Sequence, residues 1–269
     1  MEPDQNSLSP LVAGITAQLR GALSNLHLAS AQLAPAADRE RDDALDARAA
    51  LLDQSYYRML RLVNELSAAL YAFEEGPLPL QDRDIVELVS RICEECGSLA
   101  PLLGLELRFL CAMDRHVCAV APDAMEQLLF QLLSNAFKAT PPGGIITVEL
   151  RRSGRQLLLS VSDTGRGIEP ERLPLLFESV LCGEQPQLLQ RGLGIGLPLC
   201  KKIAQRQGGM LLAESRLGKG SRFTLSLPDR RAGTTVSDVP FDYTGGFSRT
   251  LLALADALPA KAFCLRSQE

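Results

Sequence analysis

The chain has 269 residues, of which 46% are hydrophobic and 22% are charged, and its formal net charge is −4. These values are ordinary for a globular chain of one large or two smaller domains, and the net negative charge gives no electrostatic reason to expect nucleic-acid binding. No run approaches 18 uninterrupted apolar residues, so we expect no membrane span. Residues 1–5 are polar and acidic, unlike a signal peptide, and we therefore expect a cytoplasmic protein.

The first 75 residues predict a helical hairpin. Two helical patterns, over residues 8–34 and 44–74, are separated by Pro35 and a charged run at 38–43 that is expected to be a solvated loop. The apolar residues recur at alternating spacings of four and three, which is a heptad seam. The seam comprises Leu8, Val12, Ile15, Leu19, Ala22, Leu26, Ala29 and Leu33, then Leu52, Tyr56, Met59, Val63, Leu66, Leu70 and Phe73.

One hairpin buries only one stripe, so two copies are expected to form a four-helix bundle. The sequence thus predicts a homodimer through residues 8–74. The alternative is a hairpin that packs within one chain on the following domain. Glycine and prolines near residue 76 mark the boundary.

Residues 76–228 predict an α+β two-layer sandwich. Helical patterns cover 82–101, 124–139 and 197–207, and strand patterns cover 105–111, 116–121, 145–151, 156–163, 210–215 and 222–227. Strands that follow one another as hairpins, with helices between them, indicate one mixed sheet under one helical layer.

The remaining tail, residues 229–269, predicts a loop followed by a short helix from Arg249 to Leu258 that Ser248 can cap. That helix can either dock on a neighbouring element or bind a partner.

Seven cysteines are scattered among apolar residues, which is typical of reduced core thiols. Cys93 and Cys96 have the spacing of a metal or redox pair. They lack a second ligand pair and lie in a helical pattern, so we interpret them as core residues.

A carboxylate and two glycines follow the strand pattern at 156–163. Asp163, at the end of the strand, can accept a hydrogen bond from an exocyclic amine such as the 6-amino group of adenine. Gly165 and Gly167 allow the backbone to approach a base closely, because they have no Cβ. Each feature alone also suits an ordinary turn.

A second glycine series, Gly192, Gly194 and Gly196, leads directly into a helix at Leu197. Glycine-rich backbone at a helix N-terminus presents free N–H groups to phosphates. The spacing differs from that of dinucleotide-binding folds, and no acidic residue follows at the required distance.

The helix pattern at 124–139 carries polar groups that suit a nucleotide. Asn135 offers an amide oxygen to Mg²⁺, and Lys138 can reach a phosphate as a point charge. Read with the two glycine series, these residues predict one ATP site. Asn135 alone also suits a satisfied polar residue on an amphipathic helix.

Residues 82–228 resemble the catalytic ATP-binding domain of histidine kinases, within the wider gyrase, Hsp90, kinase and MutL ATPase superfamily. Residues 127–138 resemble the N box, and the segments around Asp163 and Gly192–Leu197 resemble the two glycine boxes. Phe177 matches the F box, and Ser221 lies in the terminal glycine-serine element. The resemblance implies an ATP fold with a mobile lid at about 169–191. Gln131 departs from the N-box pattern, where asparagine is usual.

The hairpin resembles the dimerisation and phosphotransfer domain of the same family, but its nucleophile is missing. By that resemblance, the phosphoacceptor histidine falls on Ala17 and the acidic general base on Gln18. A methyl group cannot attack phosphorus. His27 lies about 15 Å further along the helix and is expected to pack at the hairpin edge, and His116 is expected to be structural.

Two hypotheses follow. In the first, the chain is an ATP-binding signalling protein of the histidine kinase class that does not phosphorylate itself at position 17 and transfers phosphate elsewhere. In the second, it is a non-catalytic dimeric pseudokinase whose ATP-dependent conformation is read by a partner. A response regulator or another signalling protein is the expected partner. A serine kinase of the anti-sigma type is disfavoured by the hairpin, and a gyrase-like ATPase by the absence of a glutamate close to Asn135.

Overall fold

A computed structural model of the chain describes residues 5–73, 78–178, 194–233 and 248–265. Seven helices and seven strands are found in these ranges, together with short 3-10 turns. The helices are α1 (Gln5–Leu33), α2 (Ala36–Arg39), α3 (Asp43–Phe73), α4 (Ile85–Leu99), α5 (Pro122–Ala139), α6 (Gly196–Arg206) and α7 (Arg249–Leu254). The strands are β1 (Gln81–Asp84), β2 (Glu106–Cys111), β3 (Val117–Val120), β4 (Ile145–Ser153), β5 (Gln156–Asp163), β6 (Met210–Arg216) and β7 (Gly220–Pro228).

The predicted sandwich is present. Five strands form one sheet in the order β2-β4-β5-β7-β6, with β2 and β4 parallel and the other pairs antiparallel. Helices α4, α5 and α6 pack on one face of this mixed sheet. Alternate residues of β4, β5 and β7 point into the core between the two layers, as the period-two pattern requires. The chain thus begins with helices and continues into a two-layer α+β sandwich.

The prediction of a helix from residue 82 is wrong at its start. Residues Gln81–Asp84 form β1, which pairs antiparallel with β3 as a separate two-stranded sheet. Helix α4 begins only at Ile85, where the Asp84 carboxylate accepts a hydrogen bond from the Val86 N–H at 3.1 Å. This aspartate is therefore a helix cap.

The prediction of a solvated loop at 38–43 is also wrong in part. Residues 36–39 form the short helix α2, and Arg39 is half-buried. Its guanidinium donates to Asp46 Oδ1 and Asp53 Oδ2, each at 2.8 Å. These two ion pairs connect the turn of the hairpin to α3.

Helices α1 and α3 pack as an antiparallel pair. Their shared core includes Leu23, Tyr56, Leu60 and Val63. The described α1 residues of the predicted seam lie on another face and are exposed, which leaves an apolar stripe uncovered. In the described part of the chain, no helix has the length and apolarity needed to cross a bilayer.

The helix in the tail is shorter than predicted. Helix α7 begins at Arg249 as expected, and the Ser248 side chain accepts from the Leu251 N–H at 3.3 Å. It ends at Leu254, four residues earlier than predicted. Of the two alternatives for this tail, the structure shows docking within the chain, against α3, α4 and α5.

Candidate nucleotide site

Asp163 lies at the C-terminal end of the central strand β5, opposite Ile146 of β4 and Ser221 of β7. Its side chain is only 8% exposed. One carboxylate oxygen accepts a hydrogen bond from the Gly165 N–H at 2.8 Å, across the turn that leaves the strand. The carboxylate is therefore held in place by its own loop.

Burial raises the pKa of Asp163 above its ordinary value. Hydrogen bonds from the Gly165 and Ser221 backbone and the charge of Arg166 oppose that shift without cancelling it. A structural ion pair usually lowers the pKa of an aspartate. Burial away from water raises the pKa of a carboxylate that lacks a full set of partners. A buried carboxylate that is perturbed in this way is a candidate functional group.

The two glycines after Asp163 lie where no side chain fits. A Cβ on Gly165 would lie 2.4 Å from the Ala139 carbonyl oxygen, and one on Gly167 would lie 2.2 Å from the Arg216 carbonyl oxygen. Gly167 also has φ +69°, a left-handed conformation. The turn is tied to the end of α5, because the Arg166 N–H donates to Ala139 O at 3.2 Å.

The second glycine series leads into α6. Gly194 has φ +63°, and Gly196 begins the helix, followed by the half-buried Leu197. Gly192 lies outside the described residues. A Cβ on Gly196 would lie 1.9 Å from Gln131 Nε2 of α5. Because Gly196 has no Cβ, the start of α6 packs directly against Gln131 of α5. The free N–H groups of α6 therefore lie beside the helix that carries Asn135.

Asn135 and Lys138 lie one turn apart on α5. In the described ranges the Asn135 carboxamide makes no hydrogen bond, and the residue is half-buried, so its oxygen is available as a hard ligand. The same ranges hold no cluster of three His, Cys, Asp or Glu side chains that would bind a metal alone. This donor set suits Mg²⁺ that is bound mainly through phosphate oxygens.

Two further predicted site residues flank the turn and α6. Ser221 lies near the start of β7, and its hydroxyl is 3.0 Å from the hydroxyl of Ser215 on β6. Phe177 ends the 3-10 turn Pro174–Phe177, and Lys201 Nζ of α6 lies 5.6 Å from its ring centroid. The predicted lid, 169–191, lies outside the described residues beyond 178.

The predicted phosphoacceptor position lies on α1. Ala17 and Gln18 are both exposed. His27, ten residues further along, stacks on Tyr56 with ring centroids 4.4 Å apart, and its Nδ1 lies 3.7 Å from Asp53. This packing agrees with the edge role expected for His27.

The remaining histidine and the cysteine pair have structural surroundings. His116 Nε2 lies 2.8 Å from Asp229 Oδ1, at the junction of β3 with the end of the sheet. Cys93 and Cys96 are buried in α4. Burial raises the pKa of Cys93 to about 12 and that of Cys96 further. Neither thiol suits redox or metal chemistry.

Sequence reasoning missed how the hairpin reaches this site. Arg61 of α3 is buried and donates to Gln131 Oε1 at 3.0 Å and to Ser134 Oγ at 2.8 Å. Gln131 in turn faces Gly196, so one side chain connects the hairpin to the start of α6. Lys138 is also engaged, since its amine lies 3.0 Å from Asp256 of the tail. No local pattern signals these contacts, because each partner is at least 70 residues away.

The described residues form a candidate site with two different ends. One end presents a buried carboxylate above a glycine turn, which suits a flat ring that carries an amino group. The other presents the start of α6 and an available amide oxygen, which suits phosphates and a divalent cation. The chemistry matches a purine nucleotide with a polyphosphate chain.

Comparison with known proteins agrees with this geometry. Residues 120–231 match the family model described as histidine kinase-, DNA gyrase B- and HSP90-like ATPase. Sensor protein SrrB of Staphylococcus aureus (strain N315) is 31% identical over 219 residues, which cover 81% of this chain and 37% of that protein. Adaptive-response sensory kinase SasA of Synechococcus sp. (strain JA-2-3B'a(2-13)) is 32% identical over 224 residues, which cover 81% of this chain and 58% of SasA. The chain therefore spans roughly four- to six-tenths of the length of these relatives.

Solved structures share the fold. The crystal structure of full-length ShkA in complex with AMPPNP aligns with a TM-score of 0.66 at 22% identity, covering 84% of this chain and 47% of that one. The catalytic domain of histidine kinase ThkA aligns with a TM-score of 0.50 at 21% identity, covering 56% of this chain and 98% of that one. The first alignment extends beyond the sandwich.

Proposed function

Because the chain carries a histidine kinase-type ATPase domain over residues 120–231, we propose that it is an ATP-binding signalling protein of the histidine kinase class. The observation that carries the proposal is the buried Asp163 carboxylate, which is fixed above the Gly165 turn with its pKa raised by burial. A carboxylate in this position accepts a hydrogen bond from an exocyclic amine. We assign to it the 6-amino group of adenine.

The other predicted residues take matching roles in this proposal. Gly165 and Gly167 let the turn below Asp163 pack closely on the backbone of Ala139 and Arg216, and in this proposal Phe177 and Ser221 flank the base. Residues Gly192, Gly194, Gly196 and Leu197 receive the phosphates at the start of α6, together with Lys138. Asn135 would hold Mg²⁺, which neutralises charge on the phosphate oxygens when bound.

Nucleotide selectivity tests this assignment. Guanine has an oxo group where adenine has its 6-amino group, and a carboxylate repels that oxygen. Isothermal titration of the full chain with ATP and with GTP, each with Mg²⁺, is expected to show at least about tenfold tighter binding of ATP. Equal binding of the two nucleotides, or no binding of ATP, would overturn the assignment.

We further propose that α1 does not accept the phosphate. Ala17 and Gln18 are exposed at the position where the family resemblance places the nucleophile and its base, and neither side chain can do that chemistry. Phosphate then goes to a residue elsewhere, in this chain or in a partner such as a response regulator. The chain acts on that partner inside the cell.

A pseudokinase is the second candidate, and the same two residues favour it. In that case ATP occupancy changes the conformation of a dimer and a partner protein reads the change. Incubation with Mg-ATP and each candidate partner, followed by intact-mass analysis, separates the two candidates. Added phosphate on any protein supports a kinase, and nucleotide-dependent binding without added phosphate supports a pseudokinase.

The exposed stripe on the hairpin supports a homodimer through residues 8–74. Six seam side chains are between 43% and 84% exposed: Ile15, Leu19, Leu26, Leu33, Leu52 and Met59. Exposed apolar residues in a heptad pattern of this kind mark an interaction surface. A second copy with the same stripe would cover it and complete a four-helix bundle.

A further inference from the structure

The C-terminal strap, defined as residues 248–265, lies between the hairpin and the helical layer of the sandwich. It contains α7 and the 3-10 turn Ala260–Phe263. Its four leucines between residues 251 and 258 are buried, and Phe263 is fully buried with its ring 5.3 Å from that of Tyr57 on α3. The strap is therefore an integral part of the core.

On one side, a row of donors on α3 holds the strap backbone. The donors are spaced by four and three residues, so they share one face of the helix. They are Gln54 Nε2, Arg58 Nε and Arg61 Nη1, and their acceptors are the carbonyl oxygens of Leu258 (2.7 Å), Ala255 (3.1 Å) and Ala253. Two of these carbonyls lie at the C-terminal end of α7, where a helix leaves its carbonyls without intrahelical partners.

On the other side, strap side chains hold the sandwich. Arg249 Nη1 donates to Glu126 Oε2 of α5 at 2.9 Å, and the Thr250 hydroxyl donates to Glu95 of α4. The strap thus connects α3 to the helices that cover the sheet.

One strap residue, Asp256, forms ion pairs with two cationic side chains beside the candidate site. Asp256 Oδ2 lies 3.0 Å from Lys138 Nζ of α5 and 3.7 Å from Arg61 Nε of α3. Two cations, one from the hairpin and one from the sandwich, thus converge on a single carboxylate. Lys138 is the residue that the proposed function assigns to nucleotide phosphate.

We propose that Asp256 is an internal competitor of the nucleotide phosphate at Lys138, so that ATP binding loosens the strap and with it the connection between hairpin and sandwich. The inference rests on the proposed function, because it requires that ATP bind at this site. A lysine amine that turns toward a phosphate gives up its contact with Asp256. The strap then loses one of its contacts with α5.

The effect is reciprocal by thermodynamic linkage, and its size follows from the exposure of the ion pair. If strap docking weakens ATP binding by some factor, ATP weakens strap docking by the same factor. The Lys138 and Asp256 side chains are 29% and 27% exposed, so their ion pair is partly screened by water. We therefore expect a modest competition of about 2- to 5-fold.

The experiment compares nucleotide affinity in matched full-length variants. Asp256→Asn removes the competing charge and is expected to bind Mg-AMPPNP about 2- to 5-fold more tightly than the wild type by isothermal titration. Glu106→Gln removes the same charge from an exposed pair with Arg108 on β2 and is expected to leave the affinity unchanged. Equal affinities for the two variants would overturn the inference.

Hydrogen exchange supplies a readout on the wild-type chain that no folding defect of a variant can disturb. Peptides from 248–265 are expected to exchange faster when Mg-AMPPNP is bound. Unchanged exchange there, in a chain that binds the nucleotide, would overturn the inference and leave the proposed function intact. Absence of binding to both the wild type and Asp256→Asn would overturn both.

Discussion

Replacement of Asp163 by asparagine separates a binding role from a structural one. The change is nearly isosteric, and the asparagine oxygen can still accept from the Gly165 N–H, which lies 2.8 Å from the aspartate now. What is lost is the negative charge that would face the adenine amine. A hydrogen bond to a charged group contributes about 1.5–3 kcal/mol, so the Kd for ATP is expected to rise roughly 10- to 150-fold.

The same substitution is expected to keep or raise the stability of the nucleotide-free chain, although it weakens ATP binding. Because burial raises the pKa of Asp163, the folded chain binds more protons at this site than the unfolded chain does. The free energy of unfolding therefore falls as pH rises from the unfolded pKa through the folded pKa, and then levels off. Asp163→Asn removes that loss, so at neutral pH its melting temperature should equal or exceed that of the wild type.

The assay combines isothermal titration with thermal unfolding of the same preparations, without nucleotide and at several pH values. The expected result is weaker ATP binding together with an unchanged or raised melting temperature. A variant that melts well below the wild type would show that Asp163 is mainly structural. Unchanged affinity for ATP would refute the assignment of its carboxylate to adenine.

Three further changes test the packing of the turn after Asp163, the docking of the strap and the proposed dimer. Gly167→Ala adds a Cβ 2.2 Å from a backbone carbonyl oxygen and should lower the free energy of unfolding by more than Gly154→Ala, which has a similar positive φ but open space, in urea titrations. Phe263→Ala empties a fully buried site in the strap and should cost about 3–5 kcal/mol by the same method, and a cost below about 1 kcal/mol would contradict the docked strap. Leu26→Glu should shift sedimentation toward the monomer, whereas Leu110→Glu, the same change at another exposed leucine but on β2, should not.

Much of the site could be predicted because its signals are local. Asp163 follows a strand with clear alternation, and glycines at 165 and 167 indicate a turn that excludes side chains. The structure places these residues at the end of β5 with backbone within 2.4 Å of any added Cβ. Helix α5 and strands β4 to β7 were predicted nearly to their ends, because their hydrophobic periods are regular.

The errors occur where tertiary contacts decide. Strand β1 has the sequence Gln-Asp-Arg-Asp, which has no strand propensity, and it forms only because it pairs with β3. Residues 36–39 read Ala-Ala-Asp-Arg and lead into a charged run, yet α2 forms there because Arg39 bonds to carboxylates of α3. The role of the strap depends on partners up to 224 residues away, and no periodicity encodes such pairs.

We propose that this chain binds ATP while α1 takes no phosphate. Incubation of the full chain with Mg²⁺ and γ-labelled ATP, followed by acid and alkali treatment and by peptide mapping, tests it most directly, with retention of AMPPNP on the same preparation as the control. We expect retained nucleotide and no acid-labile, alkali-stable label on residues 5–33. Such a label on His27, the histidine of that helix, would contradict it.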